Sequence, residues 1–409
     1  MKFSFLLLSV LIISTTTTFS QEIFELRTGL DDPRLRFFFH GFRDFVFNTI
    51  GKTSYKTKGV FLQEKFRKNA KFPCDVELGK SREPPKSVHK LRPGDISVIG
   101  ALGDSLTCST GAMAERITEL SMENRGLSWS IGGQWNWRNA TTLPNILKVF
   151  NPSLVGYSLD DSFPFHKASQ FNLAEIGAVS TDMPFMARAL VKRIKNDKRV
   201  NFKYDWKIVT ISIGGNDICS FLCLMKNPER LPEMHRMALT KTLRYLKNNL
   251  PRVFVNIVSV PHVETVIMIR GKPQSCSFIH HGECACWVGS LSNSTKESRE
   301  RWKKIQRQFI SVEEEVATLD EFRRLDEFAV MYQPFTKNVS LFVDGKRDLS
   351  LLSFDCFHLS QKGHAWAGTT LWNNMLEPDN KKTLNWASPQ RKLNCPSKEH
   401  PYIKTYDNS

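Results

Sequence analysis

Beyond its first few residues the chain has no apolar run long enough to cross a bilayer, which argues against a membrane-spanning helix as an organising element. It has no internal repeat, which excludes solenoids and propellers, and no nucleic-acid-binding motif. Acidic residues are in deficit, 41 against 57 Lys and Arg, giving a net charge of +16 that suits anionic surfaces. Those basic residues (Lys192, Arg193, Lys195, Lys198, Arg199; Lys303, Lys304, Arg307) are scattered between acidic ones, as on solvated helix faces. No nucleic-acid partner is therefore expected. An even cysteine count is lacking too: nine cysteines leave at least one thiol without an intrachain partner.

What is present begins with Lys2, the apolar stretch 3–13, a Thr run and the small-residue exit Thr18-Phe19-Ser20. That is the grammar of a signal peptide over 1–20, with cleavage near Ser20 and Gln21. The polar tail SKEHPYIKTYDNS carries no signal for a lipid anchor, so a secreted, extracellular chain without a membrane anchor is expected. The sequons at Asn139, Asn293 and Asn338 are candidate glycan acceptors in such a chain. Cysteines in an exported protein are expected to pair, and the four-residue spacing of Cys219 and Cys223 allows a local bridge. Cys276, His280, His281, Cys284 and Cys286 have the residue types of a zinc site, but oxidised cysteines are not ligands, so neither metal nor cofactor is expected.

Residues 21–94 form an N-terminal extension whose segment LRFFFHGFRDFVF is expected to pack its aromatic stripe on the core. A main domain follows over 95–380, and residues 381–409 form a C-terminal tail that Cys395 would staple back. Apolar runs at 96–102, 172–179, 207–213, 253–260 and 328–332 predict strands. Between them, Pro184 after Thr181 and Asp182 predicts a helix start. Leu239, Leu243, Leu246 and Leu250 lie on one helical face, as do Trp302, Ile305, Phe309, Val312, Val316 and Leu319. Strands alternating with helices of this length predict an α/β fold, a three-layer α/β/α sandwich around a central parallel sheet.

The chemistry concentrates in 95–115, where an apolar run enters Gly103-Asp104-Ser105 and a helix-like segment, AMAERITEL, follows Gly111. A strand–turn–helix of this kind holds a hydroxyl at the carboxyl edge of a sheet, beside free N–H groups, so Ser105 is the candidate nucleophile. A serine needs a base, and His358 is the natural one; Asp355, three residues earlier, would orient its ring. His364 is expected to be packing. The oxyanion would be met by the N–H of Ser105, an N–H from Gly132-Gly133 with Gly133 preferred, and the side-chain amide of Asn216, which follows a strand directly.

Taken in order, GDSL at Ser105, SWSIGG ending at Gly133, SIGGND containing Asn216 and FDCFH ending at His358 resemble the SGNH (GDSL) hydrolase superfamily. The stretches TTLPNILKVFNPSLVGYS, GAVSTDMPFMARALV and DCFHLSQKGHAWAGTTLWNNMLEP narrow the resemblance to its phospholipase B branch, from about residue 95 onward. The resemblance implies a flavodoxin-like fold and metal-free cleavage of acyl chains from phospholipids and lysophospholipids. It makes Ser105, Asp355 and His358 the triad and Ser105, Gly133 and Asn216 the oxyanion donors. The chain departs from the family's pattern at Cys108-Ser109-Thr110-Gly111 and at Gln134, which bears on substrate shape. Two other classes stand beside this one: an extracellular carboxylesterase on other acyl esters, and a secreted lipid-binding protein that would need no triad.

Overall fold

Four largely apolar segments, β1 (Ile96–Gly103), β2 (Trp206–Ser212), β3 (Val253–Val258) and β4 (Phe328–Gln333), pair in parallel in the order β1-β2-β3-β4. The structure is a computed structural model, and it describes residues 33–55, 59–289, 295–343, 345–390 and 393–409. The expected leader over 1–20, with Ser20 and Gln21, and the sequon at Asn293 lie outside the described residues. The longer helices are α1 (Pro33–Ile50), α2 (Leu143–Phe150), α3 (Met183–Asn196), α4 (Leu231–Asn249), α5 (Gln274–Glu283), α6 (Lys296–Ala317) and α7 (Gln361–Leu376).

Because side chains alternate across a strand, each strand feeds two cores. Val209, Ile211, Val253, Val255, Val330 and Tyr332 pack on α3, α4 and α6 through Met186, Leu190, Leu239, Leu243, Val312 and Val316. Trp206, Ile208, Phe254 and Met331 face α2 and α7 through Leu147, Leu371 and Trp372 on the opposite side. This is the three-layer arrangement the alternation predicts. A register shift between Ile96 and Val98 lets Ile96 and Ile99, three apart, share the α2–α7 face.

No named strand forms at 172–179. Ala101 N–H donates to Phe171 O and Leu173 N–H to Ala101 O, so a short edge piece does pair with β1. The carbonyls of Asn172 and Ala174 instead accept from the buried Arg125 guanidinium at 3.0 and 2.6 Å, and Gly177 at φ 75° turns the chain away. A second piece pairs at Val155, where Ile99 N–H donates to Val155 O. β1 thus has neighbours on both sides, this edge after α2 from one layer and β2 after α3 from the other. Its carboxyl end is the topological switch point where α/β sheets place their sites.

The helix expected at 112–120 is also absent. One turn, Ser105–Cys108, ends at Ser109 (φ 60°), and Gly111 (φ 61°) breaks direction again before a 3-10 turn at Ile117–Ser121.

The aromatic stripe of the extension does not pack as expected. Phe37, Phe38, Phe42 and Phe45 of α1 are 54–83% exposed. The cause is Arg43: buried, it pairs with Glu123 and Glu175, and its guanidinium lies 4.4 Å from the centre of the Phe163 ring. A buried charge needs its partners, so Arg43 fixes which face of α1 turns inward and leaves these four phenylalanines outside, while Phe47 packs on Phe163 and His166.

Four disulfides form: Cys74–Cys395, Cys219–Cys284, Cys223–Cys286 and Cys276–Cys356. The first ties the tail to the extension. Cys219 and Cys223 do not bridge locally; one helical turn apart, they face the same neighbour and each crosses to it. Cys108 is the free thiol, buried. No helix among the described residues is long and apolar enough to cross a membrane.

Candidate active site

Gly103 lies so close to β2 that a Cβ there would stand 2.6 Å from the Ser212 carbonyl oxygen, and this closeness seats the following turn against the end of β2. Asp104 then caps the one-turn helix, its carboxylate accepting from Leu106 N–H at 3.0 Å. Burial pushes the Asp104 carboxyl up to about 6, against the pull of that hydrogen bond and of His358. Ser105 is the first residue of the turn, and its N–H has no hydrogen-bond acceptor among the described residues.

Ser105 Oγ lies 2.9 Å from His358 Nε2, and His358 Nδ1 lies 2.7 Å from Asp355 Oδ2. A carboxylate can only accept, so Nδ1 carries the hydrogen and Nε2 is left to accept from the Ser105 hydroxyl. The other Asp355 oxygen accepts from the N–H groups of Phe357 and His358, both at 2.9 Å. One carboxylate thus both builds the turn and orients the ring.

Burial pulls the imidazole down, but the charges of Asp355, Glu283 and Asp104 and the Asp355 hydrogen bond outweigh it and push His358 up to about 9. Burial likewise works against the Asp355 charge, yet the His358 cation and three hydrogen bonds hold it below the ordinary aspartate range. His358 binds its proton more tightly folded than the free value of about 6.5, so that proton stabilises the fold fully below about 6.5. The contribution is lost as pH rises through about 9. The base function runs the other way, since only the neutral ring accepts a proton.

His364 is buried and neutral, pulled down to about 3 by burial and by His358, with Nδ1 accepting from Trp129 N–H. It is packing, as expected. Asn216 follows β2 through Gly214-Gly215, and a Cβ on Gly215 would stand 3.7 Å from Asp104 Oδ2, so this turn lies against the Ser105 turn. One amide hydrogen of Asn216 goes to Ala178 O at 2.9 Å, leaving the second to donate. Gly133 does not fit the donor role: its single N–H is spent on Ser158 O at 2.8 Å, and that of Gly132 on Ser128 O.

A carboxyl that sequence reasoning left unassigned, Glu283, stands 3.6 Å from His358 Nδ1. Its spacing from Cys276 and His280, one helical face of α5, was the available signal. Glu283, Asp355 and His358 are near enough to hold a cation, but Oδ2 and Nδ1 already bond to each other. Cys276, Cys284 and Cys286 are all in disulfides, so they supply no thiolate. Of the candidate glycan acceptors, Asn338 is exposed and Asn139 half-buried.

A serine, a histidine and an aspartate in one hydrogen-bonded line at a sheet's carboxyl edge is an arrangement suited to acyl transfer. The chain is 40% identical to human "Phospholipase B1, membrane-associated" over 344 residues, 83% of this chain and 23% of the relative. It is 38% identical to the proteins of that name from Rattus norvegicus and Mus musculus, over 83% of this chain and 23% and 22% of theirs. The chain therefore spans under a quarter of the length of these relatives. Among solved structures, phospholipase A1 from Streptomyces albidoflavus NA297 matches with a TM-score of 0.30 and 14% identity, over 66% of this chain and 95% of that one. The model of the family described as GDSL-like Lipase/Acylhydrolase matches residues 99–371, about two-thirds of the sequence, from within β1 to α7, and the chain belongs to that family.

Proposed function

We propose that this chain cleaves carboxylic esters of phospholipids and lysophospholipids through an acyl-Ser105 intermediate. The observation that carries the reading is the unbroken line from Ser105 Oγ through His358 to Asp355. Ser105 Oγ attacks the ester carbonyl carbon while His358 Nε2 takes the hydroxyl proton, and the carbonyl electrons move onto oxygen. Collapse breaks the bond to the glycerol-side oxygen, which leaves with that proton. Water then repeats the sequence on the acyl-serine and frees the fatty acid. Asp355 keeps the ring in the accepting tautomer and stabilises the imidazolium between steps. The N–H of Ser105 and the second amide hydrogen of Asn216 are the donors for the oxyanion; each such donor is worth about 10²–10³ in turnover.

The lipid class is supported by the names of the relatives, by the net charge of +16, and by the phenylalanines that α1 turns outward. Four such rings suit a lipid–water surface, where each buried ring contributes about 1.5–3 kcal/mol. Changing Phe37 and Phe42 together to serine should lower turnover on vesicles of anionic phospholipid at least about tenfold, on that scale, and leave a soluble short-chain ester unaffected. An equal loss on both substrates would mean a damaged fold; no loss on vesicles would remove α1 from lipid contact. The disulfides and the exposed sequon at Asn338 support export to an oxidising compartment.

The test is direct. Purified protein should take up a serine-reactive fluorophosphonate on Ser105 and release fatty acid from defined phospholipids, with products identified by mass. Labelling undiminished in Ser105→Ala would put the nucleophile elsewhere. Hydrolysis of soluble esters with none of phospholipid would leave the esterase reading in its place.

A further inference from the structure

Helix α5 presents three side chains, Cys276, His280 and Glu283, at i, i+4 and i+7, to the turn that carries Asp355 and His358. The first is joined to it covalently, by Cys276–Cys356. The second donates from Nε2 to the Asp355 carbonyl at 2.9 Å, while Lys272 Nζ donates to its Nδ1 at 2.8 Å. The third brings Oε1 to 3.6 Å from His358 Nδ1, and its Oε2 is buried without a hydrogen-bond partner. The residue after it, Cys284, is bonded to Cys219, so both ends of α5 are fixed. Glu283 is held against the ring; it is not a mobile surface carboxylate.

We propose that Glu283 is a positioning residue, a second carboxyl on the Nδ1 side of His358 that sets the proton affinity of the ring. The proposal rests on the reading of His358 as the base. Two carboxylates beside one ring cannot both stay ionised unless the ring is charged as well. When His358 is an imidazolium, Asp355 and Glu283 are both carboxylates and share its charge; when the ring is neutral, the proton it gave up resides on Glu283. Burial and the Asp355 charge, opposed by His358, push Glu283 up to about 9, consistent with that exchange. Among the described residues, the other charged groups facing the site are Asp104, from the end of β1, and Lys272, from the loop before α5. Lys272 is bonded to His280 and Ile267 O and does not neutralise Glu283.

Glu283→Gln keeps the shape and removes the ionisable carboxyl, and with it the negative charge that faces the imidazolium. The ring should then release its proton at lower pH, by about one unit, the size expected for a charge within 4–6 Å. The measurement is an NMR titration of histidine-labelled protein, with the His358 signal identified by its loss in His358→Gln. It needs no substrate. A His358 midpoint in Glu283→Gln that superimposes on the wild type overturns the proposal. If Glu283→Gln does not fold, Glu283→Asp, which withdraws the carboxyl by one methylene, should move the midpoint the same way by less, and an unmoved midpoint there overturns it equally. The rate of fluorophosphonate addition to Ser105 should rise on the acid side in step with the ring, a gain that structural damage does not produce. A shifted ring in a wild-type protein that takes no label would sink the serine-hydrolase reading and leave Glu283 in its place beside the ring.

Discussion

Replacing His358 with alanine should lower turnover by about a millionfold, and Ser105→Ala should do the same, because the two act as one unit. The 2.9 Å contact between Oγ and Nε2 is what makes them one: a hydroxyl without its base, or a base without its hydroxyl, performs no attack. The double variant should therefore be no worse than either single one. Residual turnover of about 10³–10⁴ over water should remain, from the oxyanion donors and binding. Steady-state kinetics on all three variants decides it. A double variant that falls a further hundredfold would mean that the two groups act independently and that the short contact is incidental.

Asp355→Asn should cost about 10⁴ in turnover with the fold retained. The asparagine oxygen can still accept from the N–H groups of Phe357 and His358, so the turn survives. Its NH₂ then faces Nδ1 and donates, which moves the ring hydrogen to Nε2, where it opposes the Ser105 hydroxyl in place of accepting from it. Glu283, at 3.6 Å, is too far from Nδ1 to supply the missing hydrogen bond. Circular dichroism would confirm the fold, and turnover within tenfold of wild type would remove Asp355 from its orienting role.

The parts of the site that were legible in the sequence are those whose geometry is local. Asp355 and His358 share a turn, so a three-residue spacing carries their contact; Ser105 and Asn216 each follow a strand written as an apolar run. Gly133 is not readable from its own neighbours, because the fate of its N–H is decided by Ser158, on a segment that only the fold brings alongside. The strand expected at 172–179 failed for a similar reason, since Arg125 takes two carbonyls that no window around residue 172 contains. Helix α1 shows a limit of periodicity: its aromatics mark a face, but the buried partners of Arg43 decide which face turns in. Glu283 was invisible as chemistry because its meaning lies in a turn more than seventy residues away.

The hydrogen bond that joins Ser105 to His358 spans 253 residues of chain. At translation rates of roughly 5–20 residues per second, about 13–50 seconds separate synthesis of the serine from synthesis of its base. For that interval the proposed nucleophile exists without its proposed base, so no nascent chain that ends before His358 can form the contact.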